Sequence, residues 1–142
     1  MADDLTAFLT ARLDEEHLLA HKFVYVDGGE WTADVLARLW WYSDPPKSRS
    51  ATDPIIQHAA RYNPARIMRE VEAKRAILDR HQPHETAFDG PACNWCSEDV
   101  DDRPQLWKQP WPCPDARSLA AVWNDHPDYR QEWAPAPATL GS

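Results

Sequence analysis

Apolar residues recur at helical spacing in several separate stretches of this chain. Leu5, Phe8, Leu9 and Leu13 lie three and four apart, which puts them on one helix face. Asp3 or Asp4 supplies an N-terminal cap and favourable charge at the positive helix end, and the predicted helix runs to about His21. Phe23-Val24-Tyr25-Val26 is β-prone and is closed by the turn residues Asp27-Gly28-Gly29, so it reads as a short strand or an extended link. Thr32 caps a second helix with Leu36, Leu39 and Trp40 on one face. Ser43 to Thr52 is polar and contains proline, and reads as a loop. Asp53-Pro54 pairs a capping residue with proline at the first helical position, and the helix it starts carries Ile55, Ile56, Ala59 and Tyr62. Asn63-Pro64 repeats the signal and opens the longest helix. Its stripe is Ile67, Val71, Lys74 and Leu78, with Met68 and Ile77 beside it. Neither Gly nor Pro occurs from Ala65 to Gln82, and Pro83 ends the helix near His81.

Beyond residue 82 the periodicity dissolves. Most of the 13 prolines lie there, and residues 82–112 read as loop. Asp115 then caps a short helix with Leu119, Val122 and Trp123 facing inward. His126-Pro127-Asp128 starts a last turn carrying Tyr129 and Trp133. The expected architecture is mainly α: one small helical domain over residues 1–133, with a zinc-knuckle-like irregular segment at 81–113, at most a short β element, and a disordered tail at 134–142. The chain has 8 tryptophans. Trp107, Trp111, Trp123 and Trp133 are expected to pack a small C-terminal core. Trp40 and Trp41 are adjacent on one helix and cannot both face inward, which leaves one for a partner surface.

Composition narrows the function. At 142 residues, 43% hydrophobic and 27% charged, the chain suits one globular domain and is neither fibrous nor wholly disordered. No stretch approaches 18 apolar residues, so no membrane span is expected. The opening MADDLTAFL carries two acids and does not read as a secretory signal, so the expected compartment is the cytoplasm. Only 4 glycines are present, and no Gly-rich phosphate loop is found. The net charge of −8 argues against nucleic acid as a partner, because phosphate neutralisation by Lys and Arg drives most such affinity. One stretch is locally basic, with Arg61, Arg66, Arg69, Lys74, Arg75 and Arg80. It is interleaved with Glu70, Glu72 and Asp79, the pattern of a solvated helix with internal ion pairs.

The chemistry concentrates in three cysteines. Cys93-Asn94-Trp95-Cys96 has the two-residue spacing of a zinc knuckle, which lets both thiolates point at one metal from a tight turn. Cys113 follows on the N-terminal side of the short helix. Three thiolates and one imidazole suit zinc better than magnesium or calcium. Such a set closes the tetrahedron and is structural, since no position is left for water. The fourth ligand is His81, His84 or His126. His81 is favoured because a helix end holds an imidazole more rigidly than a loop. An odd cysteine count argues against a disulfide framework, and a redox CxxC normally opens a helix in a βαβ unit, which is missing here. The acidic run Glu98, Asp99, Asp101 and Asp102 lacks the Gly and Glu positions of an EF-hand. His17 and His21 lie four apart without an HExxH and read as a surface pair. No GxSxG occurs.

Three blocks carry a resemblance. They are Asp3-Asp4-Leu5-Thr6-Ala7-Phe8-Leu9 with Ala11-Arg12-Leu13-Asp14-Glu15, Ala59-Ala60-Arg61-Tyr62-Asn63-Pro64-Ala65-Arg66 running into Glu70-Val71-Glu72-Ala73-Lys74-Arg75, and Asp125-His126-Pro127-Asp128-Tyr129-Arg130-Gln131-Glu132-Trp133. Together they resemble a family of small proteins of unknown function from actinobacteria and their phages. The family often pairs two cysteines with a later Pro-Cys, similar to Cys93, Cys96 and Pro112-Cys113, and tends to place a histidine where His81 stands. This chain departs from the family pattern between Leu18 and Ile56. The resemblance implies a protein of the bacterial host cytoplasm, including a phage-encoded one. The expected function is non-enzymatic: a zinc-stabilised domain that acts through a protein partner, such as a host protein. Two rivals stand beside it. One is a metal-dependent hydrolase using His17, His21, His58 or His126 with nearby carboxylates. The other is a nucleic-acid binder using the Arg61–Arg80 helix.

Overall fold

The computed structural model describes residues 3–24, 27–43, 49–86, 90–97 and 108–137. Five helices carry the chain: α1 (Asp3–His21), α2 (Ala33–Ser43), α3 (Pro54–Arg61), α4 (Pro64–Arg80) and α5 (Pro114–Ala120). The only sheet among the described residues is a two-residue antiparallel ladder of β1 (Pro83–His84) and β2 (Ala92–Cys93), in the register Pro83 to Cys93. The expected mainly helical class with a short β element is therefore what forms. No described helix is long and apolar enough to cross a membrane.

The chain divides into two compact units. One comprises residues 13–73, and the other residues 1–12 and 74–142. In the 13–73 unit, Leu13, Ala20, Ile56 and Val71 are buried. Local signals set its helix boundaries. Thr32 Oγ1 accepts from Val35 N at 3.3 Å ahead of α2. Asp53 Oδ1 accepts from Ile55 N at 2.8 Å, with Pro54 at the first position of α3. Asn63 Oδ1 accepts from Arg66 N at 2.9 Å to start α4. The Ile55 N–H and the neighbouring Arg49 hold the Asp53 carboxyl below its ordinary range. Phe23 and Val24 lie in a turn after α1 rather than in a strand. The α1 carbonyls still accept there, from Phe23 N at 3.0 Å and Val24 N at 3.4 Å, and this continuation outcompetes β propensity. Tyr25 and Val26 lie outside the described residues.

The other unit buries Leu5, Phe8 and Leu9 of α1, Leu78 of α4, and Ala92, Trp111, Ala116, Ala120 and Trp133. Phe8 is ringed by His126, Tyr129 and Trp133, at centroid distances of 5.7, 6.1 and 5.1 Å. The Arg130 guanidinium meets Asp4 at 2.7 Å. Arg117 ties the C-terminal segment down by donating to the carbonyls of Pro112, Glu132 and Ala134 at 3.0, 2.8 and 3.3 Å. Of the predicted tail, residues 138–142 lie outside the described residues, as do Trp107 and the acidic run Glu98, Asp99, Asp101 and Asp102. Two details differ from the sequence reading. Val122 is exposed, not inward: α5 ends at Ala120 and the chain tightens into a 3-10 turn over Ala121–Trp123, which rotates that side chain outward. Trp40 and Trp41 are both exposed, at 39% and 54%.

Two glycines after α1 separate conformational need from packing need. Gly28 and Gly29 have φ of 64° and 79°, in the left-handed region. A Cβ on Gly28 would meet nothing within 4 Å, whereas one on Gly29 would lie 3.1 Å from Ala65 N and 3.2 Å from Pro64 Cβ. Gly28→Ala is expected to cost about 1 kcal/mol from the backbone alone. Gly29→Ala is expected to cost clearly more, up to about 3 kcal/mol. Equal losses in paired urea melts would contradict the close approach of this turn to α4.

Candidate metal centre

His81 is held by the end of α4. Its N–H still donates to Ile77 O at 3.1 Å, so helical geometry persists one residue beyond the last full turn. Cys93 is held by β2. Its N–H donates to Gln109 O at 2.8 Å, and the next residue, Asn94, donates to Gln82 O at 2.8 Å. Ala92 bridges to Pro110. The two-residue ladder thus gains a third line of chain, and Cys93 sits between neighbours that fix it from both sides. The turn over Asn94–Ser97 brings Cys96 round to the same side, and Ser97 Oγ accepts from Gln109 N at 3.1 Å.

Cys113 is placed differently from expectation. It is itself the N-cap of α5, with Pro114 at the first helical position and Asp115 in the first turn. Its Sγ accepts from Ala116 N at 3.5 Å. A thiolate at this position takes both the orphan N–H and the positive end of the helix, which leaves Asp115 free for another role.

These four side chains converge. The ligand atoms of His81, Cys93, Cys96 and Cys113 all lie within 4.8 Å of one another. From His81 Nδ1 the three sulfurs are 3.6, 3.4 and 3.5 Å away, for Cys93, Cys96 and Cys113 in turn. One imidazole nitrogen carries either one proton or one lone pair, so three near-equal sulfur distances to it are not three hydrogen bonds. They are the geometry of four donors around a common centre, and this group could hold a metal ion. Cys93 and Cys113 are 0% exposed and His81 5%; Cys96 is the accessible member.

Burial and the two neighbouring thiols push the Cys96 thiol up to about 12. Burial, followed by Cys93, also raises Cys113, against the opposing Ala116 N–H. Cys96 and Cys113 therefore resist ionisation in the absence of a cation. A bound divalent ion inverts that balance and takes all three as thiolates.

Around the donors stands a partial outer shell. His81 Nε2 lies 3.6 Å from Asp115 Oδ2. If Nδ1 ligates a metal, Nε2 is left to carry the ring proton, and the carboxylate faces that nitrogen. The Trp95 ring lies 6.5 Å from the imidazole, and Arg80 stands over it at 5.8 Å.

The other candidate histidines are not in this group. His84 sits on β1. His126 is engaged in the C-terminal turn, where its Nδ1 accepts from Asp128 N at 3.1 Å and its Nε2 abuts the Arg12 guanidinium. His17 and His21 stack in parallel with centroids 6.0 Å apart, and among the described residues no third donor joins them to make a metal-holding group. His58 packs on Tyr62 at 4.8 Å. On the basic helix, Arg66 pairs with Glu70 at 2.8 Å and Arg69 approaches Glu30 at 4.0 Å. The Lys74 ammonium lies 5.1 Å over the Trp123 ring.

The model of a family of unknown function, DUF6221, matches the chain over residues 2–135. The chain belongs to this family. The match runs through the stretch from Leu18 to Ile56, so that stretch is part of the family domain as well. No curated protein and no solved structure matches the chain.

The outer-shell contact yields a direct test. Asp115→Asn keeps the size of the side chain and removes its charge, and should weaken metal binding about tenfold, measured by competition with a chromophoric chelator. Undiminished affinity would show that Asp115 does not orient His81.

Proposed function

We propose that this DUF6221 protein is a non-enzymatic, zinc-stabilised domain that works by binding another protein. The observation that carries the zinc reading is the set of three sulfur distances from His81 Nδ1. Tetrahedral zinc with Zn–S near 2.3 Å and Zn–N near 2.0–2.1 Å requires nitrogen–sulfur separations of about 3.5 Å. The separations here run from 3.4 to 3.6 Å. Three soft thiolates and one imidazole are a zinc set by ligand chemistry as well. His81, Cys93, Cys96 and Cys113 are the ligands in this reading. They fill all four positions, so the metal has a structural role and no open site for substrate or water.

Structural zinc also answers a need. β1 and β2 are two residues each and α5 is seven. Elements this short do not hold themselves in water. Zinc binding in small domains supplies roughly 10–16 kcal/mol of apparent folding free energy, ample to hold them.

The partner reading is supported by exposed aromatic surface. Trp40, Trp41 and Tyr42 on α2 are 39%, 54% and 80% exposed, and Ile55 of α3 is 50% exposed. Aromatic residues are the common anchors of protein interfaces, and the net charge of −8 disfavours nucleic acid as the partner. In the same reading the chain is actinobacterial or phage-encoded and meets a host protein in the cytoplasm; the block resemblance supports this.

Protein purified without added metal is expected to carry one zinc per chain by native mass spectrometry and elemental analysis. Cys96→Ser should lose the zinc and the cooperative melt of the wild type, as should chelation. A well-folded protein with no metal would sink the zinc reading. Full zinc loss with the melt intact would sink the structural role. Uptake should also release protons, because Cys96 and Cys113, held above the ordinary thiol range, must ionise to ligate. Apparent zinc affinity should therefore fall steeply as pH is lowered from 8 to 6, and a flat profile would contradict thiolate ligation. For the partner reading, Trp41→Ala should weaken binding to a partner once isolated, while leaving zinc content and melting unchanged.

A further inference from the structure

Helix α2 is apolar in composition, yet none of its described side chains is buried. It lies against α3, which leaves much of that apolar surface in water. A groove of about 430 Å³ follows its other side. Asp34, Ala37, Arg38 and Trp41 line the groove from α2, and the segment 49–51 lines it from across. At 3.6 residues per turn these four α2 positions fall within about 100° of arc, so they make one face.

The charges of the groove are only partly used. Arg49 meets Asp53 at 3.1 Å and lies 5.3 Å from the Trp40 ring. Asp34 and Arg38 are exposed, and among the described residues neither forms a hydrogen bond or an ion pair. An acid four residues ahead of a base is the favoured order for a pair within a helix. Here that pair is not made, and both charges are open to a partner. Trp41 beside them is 54% exposed.

This face is its own complement. Consider two copies of α2 packed antiparallel about a two-fold axis between Ala37 and Arg38. Trp41 of each copy then comes opposite Asp34 of the other and enters the other's groove. Each Arg38 stands about 4.5 Å along the axis from the other copy's Asp34 at 1.5 Å per residue, within reach of a guanidinium. The symmetry makes this ion pair twice. The small side chain of Ala37 at the centre lets the axes approach toward the near end of the usual range of about 8–10 Å. A different protein would have to supply an acid, a base and a ring in matching order, whereas a second copy already carries them.

We propose that α2 is the interface of a two-fold homodimer, with Trp41 seated in the groove of the other copy and Asp34 paired with its Arg38. The proposal names the partner of the aromatic α2 surface and so rests on the protein-partner reading above. The face lies in the 13–73 unit and the four metal donors lie in the other, so it does not depend on zinc.

Copies that each carry −8 repel at long range, and physiological salt screens that repulsion. The test is therefore sedimentation equilibrium of the full chain at physiological ionic strength, where a concentration-dependent dimer is expected. Trp41→Ala should weaken it roughly tenfold to thirtyfold. Arg38→Asp and Asp34→Arg should each weaken it about tenfold or more, because each sets like charges against one another. Mixed in equal amounts, these two variants should recover a dimer, seen by native mass spectrometry as the heterodimer, since every Asp then faces an Arg. If either charge reversal loses the wild-type melt, Arg38→Ala makes the same test. A wild type that stays monomeric at its highest soluble concentration would overturn the proposal; a different protein bound through Trp41 would then keep the partner reading alone. A dimer indifferent to these substitutions, or a mixture that stays monomeric, would overturn the proposal as well. The partner reading itself fails only if Trp41→Ala alters neither self-association nor binding to another protein.

Discussion

The approach of three sulfurs to one imidazole nitrogen is the constraint on which the C-terminal half of this protein turns. Each donor is presented by a different short device: a helix end for His81, a two-residue strand for Cys93, a turn for Cys96 and a helix N-cap for Cys113. Alone, each device is weak. A two-residue ladder contributes few hydrogen bonds against the entropy of ordering its chain, and a seven-residue helix lies below the length at which helices persist in water. Their shared feature is that each carries one donor to the same point. Burial of the group follows from that convergence rather than from apolar content, because between Gln82 and Pro112 Ala92, Cys93 and Trp111 are the buried described residues.

The same geometry is unfavourable without a cation. Burial, and after it the neighbouring thiols, hold Cys96 above the ordinary thiol range, and burial with Cys93 does the same to Cys113. The arrangement is thus poor as a set of nucleophiles, which would need depressed thiol pKa values and access, and good as a cage. The placement of Cys113 at the start of α5 fits this view. The helix terminus stabilises negative charge on sulfur, and Asp115 in the first turn faces the far nitrogen of His81 rather than capping the helix. One helix end thereby contributes a donor, a favourable dipole and an outer-shell carboxylate.

How much of this was legible in the sequence follows the range of the interactions involved. Helices α2 to α4 are announced by neighbours in the chain: Thr32, Asp53-Pro54 and Asn63-Pro64 act over two or three residues, and the structure uses each as a cap or first-turn residue. The CxxC spacing is likewise local, and it pointed to the cluster. The choice among His81, His84 and His126 was a weaker inference, because all three histidines were compatible with the spacing. Cys113 as the cap in place of Asp115 could not be read, since cysteine has little intrinsic capping preference and takes the position here because of the site. Val122 was assigned inward by extending a 3.6-residue period past Ala120, where the backbone tightens to three residues per turn. The paired exposure of Trp40 and Trp41 depends on what α2 packs against, which no local pattern encodes. The edge-on contact of Phe23 with Trp31 was invisible for the same reason: the two residues stand at opposite ends of the link between α1 and α2.

The two units solve the stability problem by different means. In the 13–73 unit the helix starts are closed by side chains from adjacent positions, and a glycine turn presses on the start of α4. Its buried residues are few, Leu13, Ala20, Ile56 and Val71 among them, and large apolar side chains such as Leu19, Phe23 and Tyr62 remain in contact with water. A unit stabilised by caps and a small core has no energetic reason to display that surface, since exposed apolar area returns nothing to folding. The other unit hides Trp111 and Trp133, and leaves Trp95 and Val122 exposed. The contrast puts the converging metal-donor group in one unit and the exposed aromatic surface of α2 in the other.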